Sequence, residues 1–297
     1  MPLLVIIAAL GAVVLWGASP VASKIAVASL SPLAVTVLRT ALGGMAALPT
    51  ALVLGIRPPA TAARRWLLLA SAIGGFIGFP LLFNLGIVRT SANHASLILA
   101  GLPILTGGIS LAADRSWPLP RWWLGCAVAL LGEIVLISER SVSAGAVPSS
   151  LFGDALVVAS AVFASCGYVA GGRLQRAGYP STGTTFWGAA LATVLLLPVL
   201  PWALPSILGG EVTQASWLAV LYLAFGVTIL GYVLWYWALG KGDMERVALF
   251  QFLQPVSGVL LAALLLGERL TLTIAIAAAL VLSGVWLAMR GRRVPQK

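Results

Sequence analysis

The feature that most constrains this chain is its succession of apolar segments near 20 residues long, each able to cross roughly 30 Å of hydrocarbon. Read against Pro, Gly and charged breaks, they place helices near 2–21, 32–54, 66–88, 91–113 and 122–138. Five more follow near 153–171, 181–203, 217–239, 244–266 and 271–289. Of the 297 residues, 60% are hydrophobic and 9% charged, whereas a soluble domain carries roughly a quarter of its residues as charged. A water-soluble fold would leave much of that apolar surface exposed. The expected class is therefore an all-α membrane protein with ten transmembrane helices. The opening stretch MPLLVIIAALGAVVLWGASP lacks a basic n-region and outruns a usual signal h-region, so it reads as the first span.

The formal charge of +10 lies scattered through short loops rather than clustered with aromatics, which argues against nucleic acid as a partner. Cys126 and Cys166 both fall inside apolar runs and read as small buried side chains, not as a disulfide framework or a metal cluster. No cofactor and no obligate protein partner is expected; the partners are the lipid bilayer and a small molecule. Positive charge resists translocation, so loop Lys and Arg give orientation. With the amino terminus inside, the cytoplasmic side holds Arg57, Arg64, Arg65, Arg115, Arg121, Arg173, Arg176, Lys241, Arg246, Arg290, Arg292, Arg293 and Lys297, against Lys24, Arg89, Arg140 and Arg269 outside. Both termini are thus expected in the cytoplasm of a bacterial inner membrane.

A shift of about 150 residues brings the two halves into register. Pro49 falls on Pro198, Trp66 on Trp217, Gly75 on Gly226, Pro103 on Pro255 and Gly132 on Gly284, and the doublet Asp114-Arg115 echoes Glu268-Arg269. The halves are read as 2–140 and 153–290. Because each has five spans, the second must enter the membrane from the opposite side, giving an inverted-topology repeat. Two halves able to rock about an axis in the membrane plane suit transport.

Four segments carry a resemblance to a known family: WGASPVASK at Trp16–Lys24, SPLAVTVLR at Ser31–Arg39, the proline Pro103, and LLLGERLTLTIAIAAALVLSGVWL at Leu264–Leu287. The chain resembles the EamA-type branch of the drug/metabolite transporter superfamily over nearly its whole length, and within it the bacterial exporters of amino acids, aromatic ones in particular. The segment ADRSWPLP departs from the family's usual GER motif in the first half. The resemblance implies ten helices, both termini inside, and efflux of amino acids or related metabolites.

Strongly polar residues within spans are costly and usually face a cavity or a partner. At 1.5 Å per residue, Arg39 lies roughly 10 Å from the outer end of its helix and Glu133 roughly 8 Å from the outer end of its own. They can form a buried ion pair; alternatively Arg39 meets a substrate carboxylate, or Glu133 takes a proton that couples export to the gradient. Asn84 and His94 sit near the outer ends of the third and fourth spans, either as hydrogen-bonded interfacial residues or as a polar relay. Val247, Gln251, Gln254 and Gly258 share one helical face, as do Thr228, Tyr232 and Trp235. Amides serve both charges of a zwitterion while rings pack on its apolar part, and Tyr168 and Trp187 are candidates for the same wall. Trp235, Tyr236 and Trp237 also fit an interfacial aromatic belt that binds nothing. In the first span Trp16 and Ser19 flank a segment weakened by Gly17 and Pro20, which reads as a substrate-facing bend or as a packing kink. Gly43, Gly44, Gly74 and Gly78 read as small residues that let helices approach closely.

Secondary transport is the leading class, and no enzyme is expected. The rival is an intramembrane serine hydrolase with Ser19 as nucleophile and His94 as base; it leaves the repeat unexplained, and no HExxH, GxSxG or Walker A motif is present. Within transport, cationic drugs would favour an accessible carboxylate and nucleotide sugars several cavity cations. Glu133 and Arg39 are the single candidates for each, which favours neutral or zwitterionic cargo.

Overall fold

The structure is a computed structural model that describes residues 1–90, 95, 98–114, 117–143, 150–258, 260 and 271–290, without the side chains of 136–143. Its regular elements are helices. In chain order they are α1 (Leu3–Gly17), α2 (Ser19–Ala26), α3 (Pro32–Val53), α4 (Ala62–Ser71), α5 (Phe79–Ile87), α6 (Leu102–Ala113), α7 (Pro120–Ser143), α8 (Leu151–Arg176), α9 (Ser181–Leu196), α10 (Leu200–Leu208), α11 (Gln214–Leu221), α12 (Tyr232–Lys241), α13 (Met244–Ala248) and α14 (Leu272–Met289). π-Helical turns at Ala72–Gly78 and Tyr222–Gly231 join α4 to α5 and α11 to α12. Tighter 3₁₀ turns occupy Leu197–Val199 and Leu249–Leu253.

Among the described residues, seven continuous stretches are long and apolar enough to cross a bilayer: Leu3–Ala26, Pro32–Val53, Ala62–Ile87, Leu151–Arg176, Ser181–Leu208, Gln214–Lys241 and Leu272–Met289. Ile98–Ala113 is a shorter apolar helix. Most run a few residues past the bounds expected from hydropathy. At α8 the extra turn carries Arg173 and Arg176, which are helical beyond the apolar run because they reach Asp114 at 2.9 and 3.5 Å. The bend expected at Gly17 and Pro20 is present: α1 ends at Gly17, and α2 opens with Pro20 in its first turn, where a missing N–H breaks no helical bond.

Two helix crossings have a reciprocal form. A β-carbon at Gly132 would stand 2.8 Å from the Ala277 carbonyl oxygen and the Val281 nitrogen, and one at Gly284 would stand 2.4 Å from the Ala129 nitrogen and 2.6 Å from the Gly125 oxygen. The repeat register that carries Gly132 onto Gly284 also carries Gly125 onto Ala277 and Ala129 onto Val281, so each contact is the other with the halves exchanged. The same holds between α3 and α9. Gly44 abuts the Ala189 carbonyl, where a β-carbon would approach to 2.7 Å, while Thr193 donates to the Thr40 carbonyl at 3.0 Å. The register of Pro49 and Pro198 maps one contact onto the other. Gly125 meets Ala288 while Gly132 meets Ala277, so α7 and α14 run antiparallel. The small-residue reading of Gly44 and Gly74 holds; at Gly43 a β-carbon would find only ordinary contacts of 3.5 Å or more.

The π turns also respect the repeat, since Gly75 and Gly226 lie inside them. Widening the ladder from i+4 to i+5 opens backbone carbonyls to side-chain donors. Tyr232 donates to the Gly75 carbonyl (2.6 Å), Thr40 to Phe76 (3.0 Å), Trp16 to Val227 (3.1 Å) and Thr228 to Leu223 (2.7 Å). Side chains from elsewhere in the bundle thus hold both turns in place.

Two expectations about surface placement are corrected. Trp235 and Tyr236 are fully buried in the main core rather than set in an interfacial belt, because α12 packs against α1 and α8 on both sides. The exposed tryptophans are Trp66, Trp117, Trp123, Trp202, Trp217 and Trp286, the last with the Arg290 guanidinium 3.7 Å above its ring. Cys126 is buried as expected, whereas Cys166 is exposed on the outer face of α8.

Candidate binding site

The two halves meet around a cluster of buried rings. Trp16 on α1 stacks on Tyr168 of α8 with ring centroids 5.4 Å apart and planes 12° from parallel. Both touch Tyr232 and Trp235 of α12, at centroid distances of 5.2–5.9 Å. Phe76 closes on Tyr232 at 4.5 Å, and Tyr236 lies beyond it, sharing a 2.7 Å hydrogen bond with Ser71. Ring pairs at these separations contribute about 0.5–1.5 kcal/mol each beyond area burial, so the cluster is a stiff wall. Trp16 and Phe76 come from the first half; Tyr168, Tyr232, Trp235 and Tyr236 come from the second.

Arg39 of α3 is 4% exposed and interacts electrostatically with Tyr168 and Tyr232. Its Nη2 and Nε donate to Thr228 Oγ1 at 2.9 and 3.3 Å. Thr228 donates its own proton to Leu223 and so is free to accept both. A guanidinium has five N–H donors, and among the described residues Arg39 has no carboxylate partner. A buried cation without a counter-ion is costly, so a site beside rings with donors to spare is suited to an anionic group on a ligand.

The expected Arg39–Glu133 ion pair is not formed. Depth along two helices places them at one level, but α7 packs on α14, whereas α3 packs on α9 and the second π turn. Glu133 is fully buried, and neither carboxylate oxygen has a hydrogen-bond partner among the described residues. Trp187 does not join the ring wall either. Its Nε1 donates to the Ile56 carbonyl at 2.9 Å and it packs beside Leu68 and Tyr179, at the end of the bundle that carries the basic loops.

Among the described residues, Gln251 is buried with neither amide atom partnered, and Trp235 Nε1 likewise lacks an acceptor. Gln251 lies on the 3₁₀ turn that packs against α1, while Gln254 is only partly buried. Asn84 is buried and donates to Thr36 Oγ1 at 3.1 Å, one turn from Arg39 on α3. Ser19 is half-buried in the bend after Trp16. His94 lies outside the described residues. Phe76 and Thr228 join the site, Phe76 as the first-half ring against Tyr232 and Thr228 as the Arg39 acceptor; Phe76 was masked in sequence by its glycine-rich surroundings, and Thr228 by having been read only as part of a ring face.

A family model described as "EamA-like transporter family" matches twice, over residues 3–138 and 151–290. The chain belongs to the EamA-like transporter family. It is 30% identical over 261 residues to the "Uncharacterized transporter YdeK" of Bacillus subtilis (strain 168), covering 88% of both chains. It is 33% identical over 215 residues to the "Probable amino-acid metabolite efflux pump" of Salmonella typhimurium (strain LT2), covering 68% of this chain and 69% of that one. A solved crystal structure with a TM-score of 0.75, covering 95% of both chains at 23% identity, shares the fold. This EamA-like protein is accordingly a multi-pass membrane transporter and not an enzyme, which removes the hydrolase reading of Ser19 and His94.

Proposed function

We propose that this chain is a ten-span secondary transporter of the bacterial inner membrane that exports small amphipathic carboxylates, amino acids and their derivatives foremost, aromatic ones included. Two inverted halves, 2–140 and 153–290, give alternating access to the site. The observation that carries the cargo reading is Arg39, buried without a counter-charge among the described residues, near Tyr168 and Tyr232 of the ring cluster. A cargo carboxylate would accept its remaining N–H groups while the rings cover the apolar remainder. Gln251 and the Trp235 indole offer further hydrogen bonds to cargo polar groups.

The inverted arrangement is supported by the reciprocal, antiparallel crossings of α7 with α14 and of α3 with α9. Exchange of halves across antiparallel helices corresponds to a two-fold axis across the bundle, in the membrane plane. The basic loops support a cytoplasmic position for both termini. The name of the Salmonella relative supports amino-acid metabolites as cargo. No cofactor and no obligate protein partner is proposed.

The test is counterflow in liposomes holding the purified protein, with labelled aromatic and aliphatic amino acids and their derivatives, with and without a pH gradient. Exchange of an aromatic carboxylate that is lost in Arg39→Gln is expected. Exchange undiminished in a well-folded Arg39→Gln would refute the assignment. Glu133 is the candidate for proton coupling, on the observation that its buried carboxyl is unpartnered. If Glu133→Gln transported with the wild-type pH dependence, that role would fall.

A further inference from the structure

Each π turn is held by a ring from the opposite half. The Trp16 indole, in the first half, donates to the Val227 carbonyl of the second turn at 3.1 Å, and the Tyr232 hydroxyl, in the second half, donates to the Gly75 carbonyl of the first turn at 2.6 Å. The rings sit directly on the backbone. A β-carbon at Gly231 would stand 2.5 Å from Trp16 Nε1, and one at Gly75 2.9 Å from the Tyr232 ring. Trp16 and Tyr232 also touch each other, with centroids 5.4 Å apart. Arg39 adds a second hold on the second turn, because its acceptor Thr228 donates in turn to the Leu223 carbonyl inside it.

The two holds differ in where they stand along the chain. Tyr232 is the first residue of α12, immediately past the second turn. Tyr222 fixes the start of that turn to the Leu15 carbonyl, so a change of register within it is carried to its far end, where Tyr232 stands. A buried carbonyl that loses its donor is costly, and a π turn recovers by closing to the i+4 ladder of an α-helix. Closing by one residue rotates the following helix by roughly 100° and moves it by roughly 1.5 Å, which takes the Tyr232 hydroxyl away from Gly75. Thr40 still bonds the Phe76 carbonyl at 3.0 Å from within the first half, but the Gly75 carbonyl has then lost its donor, and the first turn is released to close as well.

We propose that the two π turns form a relay that couples cargo arrival to reorientation of the halves: Trp16 holds the second turn, and Tyr232, carried at the end of that turn, holds the first. Both are positioning residues. Cargo that draws Arg39 and Trp16 to itself releases the second turn, the second turn withdraws Tyr232, and α12 and then α5 reorient. This rests on the reading that cargo enters at Arg39 and the rings, and it names the parts that move.

The experiment uses the full-length protein in lipid nanodiscs, with one trifluoromethyl-labelled cysteine at Val88, just past α5, or at Lys241, the last residue of α12, and with Cys126 and Cys166 replaced by Ser. Both labelled positions are exposed, and fluorine NMR reads the populations of the helix beyond each turn. Without cargo, Tyr232→Phe keeps the ring and loses the donor. It should change the population ratio at Val88 by about tenfold, in line with the loss of one buried hydrogen bond, and leave Lys241 as in wild type. Trp16→Phe should change both. An aromatic carboxylate that the protein exchanges should move both signals in wild type in the direction of Trp16→Phe, and should still move Lys241 in Tyr232→Phe. Tyr179→Phe, which loses a hydroxyl outside the cluster, should move neither. An unchanged Val88 signal in Tyr232→Phe, or an equal change at Lys241, would overturn the relay; this variant removes a single oxygen atom, so the result stands even where Trp16→Phe does not fold. Cargo that exchanges in liposomes but moves neither signal would overturn the relay while leaving the carboxylate site standing. If no aromatic carboxylate exchanges, the cargo reading fails, and this inference with it.

Discussion

At the crossing of α7 and α14, Gly284→Ala adds a β-carbon 2.4 Å from the Ala129 nitrogen and 2.6 Å from the Gly125 oxygen. Both are backbone atoms, so no side chain can swing away. Restoring contact near 3.5 Å requires the helices to part by roughly 1 Å, and overpacking of this kind costs about 1–3 kcal/mol. The better helix propensity of Ala offsets up to about 1 kcal/mol, leaving a net loss of about 1–2 kcal/mol. Gly132→Ala meets backbone at 2.8 Å on the opposite side of the same crossing and should cost the same or slightly less. Once one substitution has parted the helices the second fits more easily, so the double variant should lose less than the sum. Gly108, where a β-carbon finds open space, is the control, and Gly108→Ala should be neutral or slightly stabilising. Thermal unfolding of the four variants beside wild type in one detergent measures all of this. Gly284→Ala as stable as wild type, or fully additive losses in the double variant, would refute the reciprocal packing of the two helices.

Other predictions concern the ends of the bundle and the buried carboxyl. Asp114→Asn releases Arg173 and Arg176, but these pairs are partly exposed, so the melting change should correspond to under about 1 kcal/mol and shrink in high salt. Tyr179 donates to the Arg57 carbonyl at 2.9 Å, and burial pushes its hydroxyl up to about 12. The stability it contributes is complete below the ordinary tyrosine value of about 10 and is lost as pH rises towards 12. Tyr179→Phe should therefore melt below wild type at pH 8, with the gap closing above pH 10; a gap independent of pH would contradict this. Glu133→Leu should be at least as stable as wild type, since it replaces an unpartnered buried carboxyl with an apolar side chain of similar volume. Marked destabilisation would mean the carboxyl has a partner.

The membrane spans were legible because hydropathy reports burial in lipid directly, and the repeat because Pro, Trp and Gly landmarks survive in apolar sequence. Of the site, Trp16, Arg39, Tyr168, Tyr232 and Trp235 could be named in advance, since each is a large or charged group inside a span. Their mutual arrangement could not. Rise per residue gives height in the membrane but not azimuth, which is why Arg39 and Glu133 looked paired although their helices face different neighbours. The same limit misplaced Trp187, which sits on the right helix at the wrong end of the bundle. The π turns left only a faint trace, the glycines at Gly75 and Gly226. Their location depends on which distant side chains supply the missing donors, and Tyr232, Thr40 and Trp16 do so from other helices.

Alternating access to a site between the halves is tested most directly by side-specific labelling. Thr228→Cys, in a background with Cys126 and Cys166 replaced by Ser, puts a thiol next to Arg39. A membrane-impermeant thiol reagent should modify it from either face of oriented vesicles, more slowly when an aromatic carboxylate that the protein exchanges is present. Labelling from one face only, or at a rate that this compound leaves unchanged, would contradict the account.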